Sequence, residues 1–180
     1  MPRTIVSVIA AALLSPVAFA QVFVVGGGMA ADCYDAAKSG STRLSAETIC
    51  TQALRSEVLS RSNRAATYTN RGVIRMRDGD YDGALGDYAK AEEIDGEQGA
   101  IYLNRGAALI YMKQFGEAIA PLNRAIELET QDLYAAHYNR AIAKENTGDI
   151  AGAYADFTTA LELKPEWDIA ERQLSRFSVN

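Results

Sequence analysis

The sequence predicts an all-α fold, a stack of helical hairpins, on three observations. First, one five-residue pattern recurs: Tyr68-Thr69-Asn70-Arg71-Gly72, Tyr102-Leu103-Asn104-Arg105-Gly106 and His137-Tyr138-Asn139-Arg140-Ala141. Its asparagines are 34 and then 35 residues apart, and a fixed period of this size marks stacked supersecondary units. Second, each unit continues through the same slots. Ala84, Ala118 and Ala153 are followed four residues on by Tyr88, Leu122 and Phe157, and three further on by Ala91, Ala125 and Ala160. Third, turn signals divide each unit in two: Gly79-Asp80-Tyr81, Lys113-Gln114-Phe115 and Gly148-Asp149-Ile150. A glycine that ends one helix and an aspartate that caps the next is the chemistry of a tight hairpin.

The glycines support this reading. Gly72 and Gly106 fall inside the first helix of their units, where glycine costs about 1 kcal/mol against alanine. That cost is offset if a second helix must come close, and Ala84, Ala118 and Ala153 are expected to supply the facing flat spot. No hairpin of this length buries its apolar face alone, so the units must stack.

These slots resemble the tetratricopeptide repeat family. The resemblance covers about 100 of the 180 residues, in three units. It departs from the family pattern in opening on Tyr68, Tyr102 and His137 in place of tryptophan, in carrying Arg in a slot that is often Leu, and in having Ala141 for glycine. The resemblance implies a right-handed α-solenoid, a non-catalytic interaction module and no cofactor. The repeats are expected at 65–98, 99–133 and 134–165, with the extra residue in the connection near Glu129 to Leu133, where insertion costs little.

The flanks are read in chain order. Residues 1–20 read as a secretory signal peptide: Arg3, an apolar run from Ile5 to Leu14, the breakers Ser15-Pro16, and an Ala18-Phe19-Ala20 cleavage site. The run is too short to span a bilayer; an uncleaved anchor is the alternative. The chain is therefore expected to be exported, periplasmic, and free of stable membrane insertion after cleavage at Ala20. Residues 21–30 hold Val22-Phe23-Val24-Val25 and three glycines. They are expected as a flexible arm; the sharper alternative docks the valines in a groove, the chain's own or a neighbour's. Gly26-Gly27-Gly28 lacks the residues of a phosphate loop.

Residues 31–64 read as a degenerate hairpin, closed by Gly40, with Ser45 capping a helix that carries Ala46, Cys50 and Ala53 in the alanine–large–alanine slots. Cys33 and Cys50 are the two cysteines. In an exported chain they favour a disulfide, and helical rise puts both at similar height in the hairpin. A metal pair or a redox couple is the alternative, disfavoured by the absence of further ligands and of C-x-x-C spacing. Residues 166–180 are expected to form a capping helix with Ile169, Leu174 and Phe177 inward, Glu171, Arg172 and Arg176 in water, and Trp167 packed beneath.

The charge is acidic, 18 basic against 23 acidic residues, −5 in total. No basic stripe is present, which argues against nucleic acid as a partner. No nucleophile–histidine–acid set, metal cluster or phosphate loop appears, so an enzyme is not expected. His137, the one histidine, is expected to be packed with a single hydrogen bond.

The family resemblance places the first helix of each hairpin on the concave face. The groove it implies is lined by Thr69, Asn70, Val73, Met76 and Arg77, by Leu103, Asn104, Ala107, Ile110 and Tyr111, and by Tyr138, Asn139, Ile142, Glu145 and Asn146. Asn70, Asn104 and Asn139 form a row. Each amide offers an acceptor and two donors, suited either to the main chain of an extended ligand or to a neighbouring helix. The groove is mostly apolar, with one Arg77 and one Glu145, so the family's grip on a C-terminal carboxylate does not carry over. A second row, Arg71, Arg105 and Arg140, is expected to bridge to Asp87 and Asp156 across each hairpin, with Pro121 breaking the pattern. The expected partner is a protein or peptide segment of unspecified identity. The alternative is a structural role, a homo-oligomer formed through the groove or the arm.

Overall fold

The computed structural model describes residues 5–8, 16–39 and 44–179. The helices follow the sequence slots: α1 (Met29–Ser39), α2 (Leu44–Ser56), α3 (Arg61–Arg77), α4 (Tyr81–Asp95), α5 (Gly99–Tyr111), α6 (Phe115–Glu127), α7 (Leu133–Asn146), α8 (Ile150–Leu163) and α9 (Asp168–Leu174). The fold is all-α, and α3/α4, α5/α6 and α7/α8 are its three repeat hairpins. One addition was not expected. Strand β1 (Ile5–Val8) pairs antiparallel with β2 (Phe177–Val179) beyond the last helix. Arg3, the rest of the apolar run from Ile9 to Leu14, Ser15, and the Gly40 turn lie outside the described residues.

Each hairpin turn is built the same way. Asp80 N–H donates to the Arg75 carbonyl at 2.9 Å, while Gly79 N–H donates to the Met76 carbonyl at 3.2 Å. Gln114 and Lys113 repeat these bonds to Leu109 and Ile110, and Asp149 and Gly148 repeat them to Lys144 and Glu145. This is the Schellman arrangement, which requires a left-handed residue just past the helix. Gly79 and Gly148 hold φ of 84° and 90° there, and Lys113 is forced to 61°. Asp80 and Asp149 then cap the second helices by accepting from the N–H of Gly83 and Gly152 at 3.0 and 2.9 Å.

Close packing explains the mid-helix glycines, with one correction of partner. A methyl on Gly72 would fall 2.4 Å from Tyr88 Cε1, and one on Gly106 would fall 2.5 Å from Leu122 Cγ. The glycine thus receives the large residue of the second helix, and the alanine slot is not its counterpart. Ala84, Ala118 and Ala153 are fully buried elsewhere in the same core.

The ends differ from the repeats. In the first hairpin Ala46, Cys50 and Ala53 are buried as the slots imply, and Cys33–Cys50 is a disulfide with a Cα separation of 4.8 Å. Helix α2 starts at Leu44, so Ser45 lies inside it and is not its cap. The capping helix is shorter than expected and gives way to β2. Trp167 packs as expected, edge-on to Tyr134 at 5.0 Å and against Tyr138 at 4.8 Å. Arg176 is not in water: its guanidinium meets Glu145 at 2.6 Å, both side chains 17% exposed.

Two predictions follow the geometry of the hairpins. Gly106→Ala should lower stability by about 1–3 kcal/mol, because crowding Leu122 outweighs the gain in helix propensity. Lys113→Gly should raise stability by about 1 kcal/mol by relieving the left-handed conformation. Urea midpoints at unchanged slope check both; a stabilising Gly106→Ala would mean the helices are not in contact there.

Candidate functional site

Residues 17–25 run as an extended segment against the row of asparagines. Asn139 accepts from Ala18 N–H at 3.0 Å and donates to the Ala18 carbonyl at 2.5 Å. Asn104 does the same to Ala20, at 2.8 and 2.6 Å. Asn70 does the same to Val22, at 2.9 and 2.7 Å. Each amide engages both main-chain groups of one residue, as a residue on a neighbouring antiparallel strand would. The paired residues alternate because an extended chain turns every second residue to the same edge.

The spacing is demanding. Two residues of extended chain cover about 7 Å, whereas packed helix axes lie about 8–10 Å apart. Asn70, Asn104 and Asn139 stand on α3, α5 and α7, and their amides meet every second residue of the segment, so the spacing of the amides, and not that of the axes, matches the strand. All three are fully buried beneath the segment, and its main chain supplies the partners that buried amides require.

A fourth rung was missed in the sequence. Asn63 accepts from Val25 N–H at 3.2 Å and donates to its carbonyl at 2.7 Å. It stands seven residues before Asn70, two turns back on the same face of α3, and that offset was the available signal. The expectation of a loose arm at 21–30 gives way here to its docked alternative. Val24 is 2% exposed and packs with Ala30, Ala53 and Ala66. Gly28 adopts φ 90°, with the Glu57 carboxylate against it, and that carboxylate accepts from the N–H of Met29 and Ala30 at 2.7 and 3.1 Å to start α1.

The other expected groove residues divide. Val73, Met76, Leu103, Ala107, Ile110 and Ile142 are buried, and most share one apolar cluster with Val17 and Ala20. Arg77 lies over the Phe19 ring at 5.1 Å. Tyr111 stacks on Tyr81 at 5.6 Å. Burial, with Tyr81 beside it, pushes the Tyr111 phenol above its ordinary range. Four residues serve the scaffold instead. Tyr138 joins Phe157 and Trp167 in the core. Glu145 is held by Arg176, Thr69 donates to the Ala65 carbonyl, and Asn146 donates to the Ile142 carbonyl.

The arginine row locks the hairpins. Arg71 grips Asp87 with two bonds of 2.9 and 2.6 Å, and Arg140 grips Asp156 at 2.8 and 2.7 Å. These are not surface pairs: the two aspartates are 4% and 5% exposed. In the middle unit Pro121 stands where the aspartate would be, and Arg105 turns to Glu92 at 2.8 Å. Asp156 also meets Lys144 at 2.8 Å and His137 Nδ1 at 2.9 Å, the one bond expected of that histidine. Burial alone would raise the Asp156 carboxyl, but the hydrogen bonds from His137, Arg140 and Lys144 hold it well below the usual carboxylate range.

Comparison with known proteins agrees with this architecture. The tetratricopeptide repeat model matches residues 99–132 and 134–166. Human serine/threonine-protein phosphatase 5 is 30% identical over 86 residues, which is 48% of this chain and 17% of that protein. The chain thus spans under a fifth of the curated relatives it matches. Among solved structures, the first such domain of Spaghetti (RPAP3), bound to the HSP90 peptide SRMEEVD, is 26% identical with a TM-score of 0.61, covering 63% of this chain and 90% of that one. The second domain of human RPAP3, in complex with the HSP70 peptide SGPTIEEVD, is 27% identical with a TM-score of 0.60, covering 64% and 96%. MamA from Desulfovibrio magneticus, 18% identical with a TM-score of 0.67 over 82% of both chains, shares the fold.

Asp156→Asn should cost about 3 kcal/mol at neutral pH, because it leaves Arg140 and Lys144 without their buried counter-charge. The folded carboxyl is depressed, so its contribution is full above the unfolded value of about 4 and fades as pH falls through the folded one. The gap between variant and wild type in thermal unfolding should therefore narrow below about pH 4. A gap constant down to strongly acid pH would place the effect elsewhere.

Proposed function

We propose that this chain is a non-catalytic interaction module of the cell envelope whose concave groove binds an extended segment of a partner protein by its main chain. The observation that carries the reading is the asparagine ladder. Each amide takes both main-chain groups of a single residue, and such pairing is indifferent to the ligand's side chains. The apolar residues between the rungs add burial, and they set a preference for apolar or small side chains.

Peptide binding by the RPAP3 domains supports a groove ligand in general. Their acidic EEVD tails are not the ligand proposed here, because the groove is mostly apolar and offers few cations to a carboxylate. Arg77 covers Phe19, and Arg176 neutralises Glu145. The envelope setting rests on the leader-like residues 1–20 and on the Cys33–Cys50 disulfide, since such bonds persist in oxidising compartments.

A second reading is favoured by one observation: the groove's occupant is a segment of this chain. The same segment from a second copy could make the same rungs, which is the logic of a domain-swapped oligomer.

The test is fluorescence anisotropy with a labelled peptide of sequence PVAFAQV and the chain beginning at Gln21. Saturable binding is expected, weakened about tenfold for each of Asn104→Ala and Asn139→Ala, since each removes two hydrogen bonds of about 0.5–1.5 kcal/mol. Equal binding by the variants would remove the ladder from recognition. Sedimentation at rising concentration separates the second reading: a dimer lost with the arm would favour it.

A further inference from the structure

The expected cleavage point falls inside the ladder. Ala18 and Ala20 pair with Asn139 and Asn104 on its amino-terminal side, while Val22 and Val25 pair with Asn70 and Asn63 on the other. We propose that residues 17–20 are an intramolecular occupant that closes the groove of the uncut chain. Removal of residues 1–20 then opens a two-rung site over Asn104 and Asn139, while Gln21–Val25 stays docked. This rests on the main-chain-reading groove proposed above and adds its regulation.

Three features carry the inference. The occupant is tethered at short range. From Val25 it reaches α1 at Met29 through Gly26, Gly27 and Gly28 alone, and a short flexible link gives an effective concentration of about millimolar. A partner strand at micromolar concentration cannot displace it. The retained half has anchors of its own, with Val24 buried and Phe23 edge-on to Tyr34 at 5.3 Å. Cutting therefore does not free the whole arm. The residue before the cut is also sheltered once the chain is folded. Ala20 is 3% exposed, and both its main-chain groups are held by Asn104. A protease that reads an extended main chain finds those groups already paired, so the closed groove slows the cut that would open it.

The opened site has a definite shape. It takes an extended strand that enters antiparallel to the repeat order, with one residue paired at Asn139 and the next but one at Asn104. That strand would run toward Gln21, so it prolongs the retained arm as one continuous ladder.

The experiment uses the full chain, 1–180, as wild type and as Ala18→Pro/Ala20→Pro. Proline has no N–H, so both upstream rungs lose their donors while the extended conformation stays allowed. The probe is the labelled PVAFAQV peptide, read by anisotropy, with helicity checked by circular dichroism. The variant is expected to bind at least about tenfold more tightly than the wild type, by release from the tethered competitor. Equal, tight binding to both chains would overturn the occupant and leave the groove reading standing. Binding to neither at millimolar peptide would overturn both. If the double variant loses helix, Ala20→Pro alone serves, with a smaller gain in the same direction expected and no gain overturning the proposal.

Discussion

The molecule turns on one requirement: a main chain taken out of water must find partners for its N–H and C=O groups. Helices meet this requirement internally, but the extended segment at 17–25 cannot. Four asparagines meet it instead, and the requirement runs both ways. Asn70, Asn104 and Asn139 are fully buried, and a buried amide left unpaired costs about 1–3 kcal/mol per group. With the strand in place, each side therefore satisfies the other. An empty groove would have to be a wet one.

The rest of the repeat positions these amides. Three adjacent residues, Asn70-Arg71-Gly72, are each rotated about 100° from the last around the helix, and each has a separate task. Asn70 points into the groove, Arg71 clamps Asp87 on the second helix, and Gly72 lets Tyr88 approach. The third unit repeats this with Asn139 and Arg140, and it adds Lys144 and His137 around Asp156. The middle unit keeps Asn104 and Gly106 but loses the aspartate to Pro121, so its arginine holds Glu92 nearer the surface. The Cys33–Cys50 disulfide then fixes the hairpin least like a repeat.

The repeats were legible because each slot encodes a local constraint: a left-handed turn, a cap, or a close approach. The buried Arg–Asp pairs were legible as partners but not in depth, since sequence spacing reports neighbours and says nothing of how much water reaches them. The groove was legible in its asparagines and invisible in its occupant. Residues 16–25 look in sequence like a leader's end and a loose arm, and no helical or alternating pattern ties them to the repeats. Their match to the ladder is geometric. It needs the amide tips carried by α3, α5 and α7 to be spaced as two residues of extended chain, and a one-dimensional reading does not contain that interval. Asn63 was missed for a related reason: it lies outside the repeat period and belongs to the ladder only because α3 is longer than its counterparts.

The most direct measurement is residue-resolved amide hydrogen exchange on the full chain across residues 17–25. An extended segment held by one edge has alternating amides. Ala18, Ala20 and Val22 should be strongly protected, and Phe19, Gln21 and Phe23 should exchange much faster. Uniformly fast exchange, at the rate of a free peptide, would contradict the ladder and with it the account of the groove.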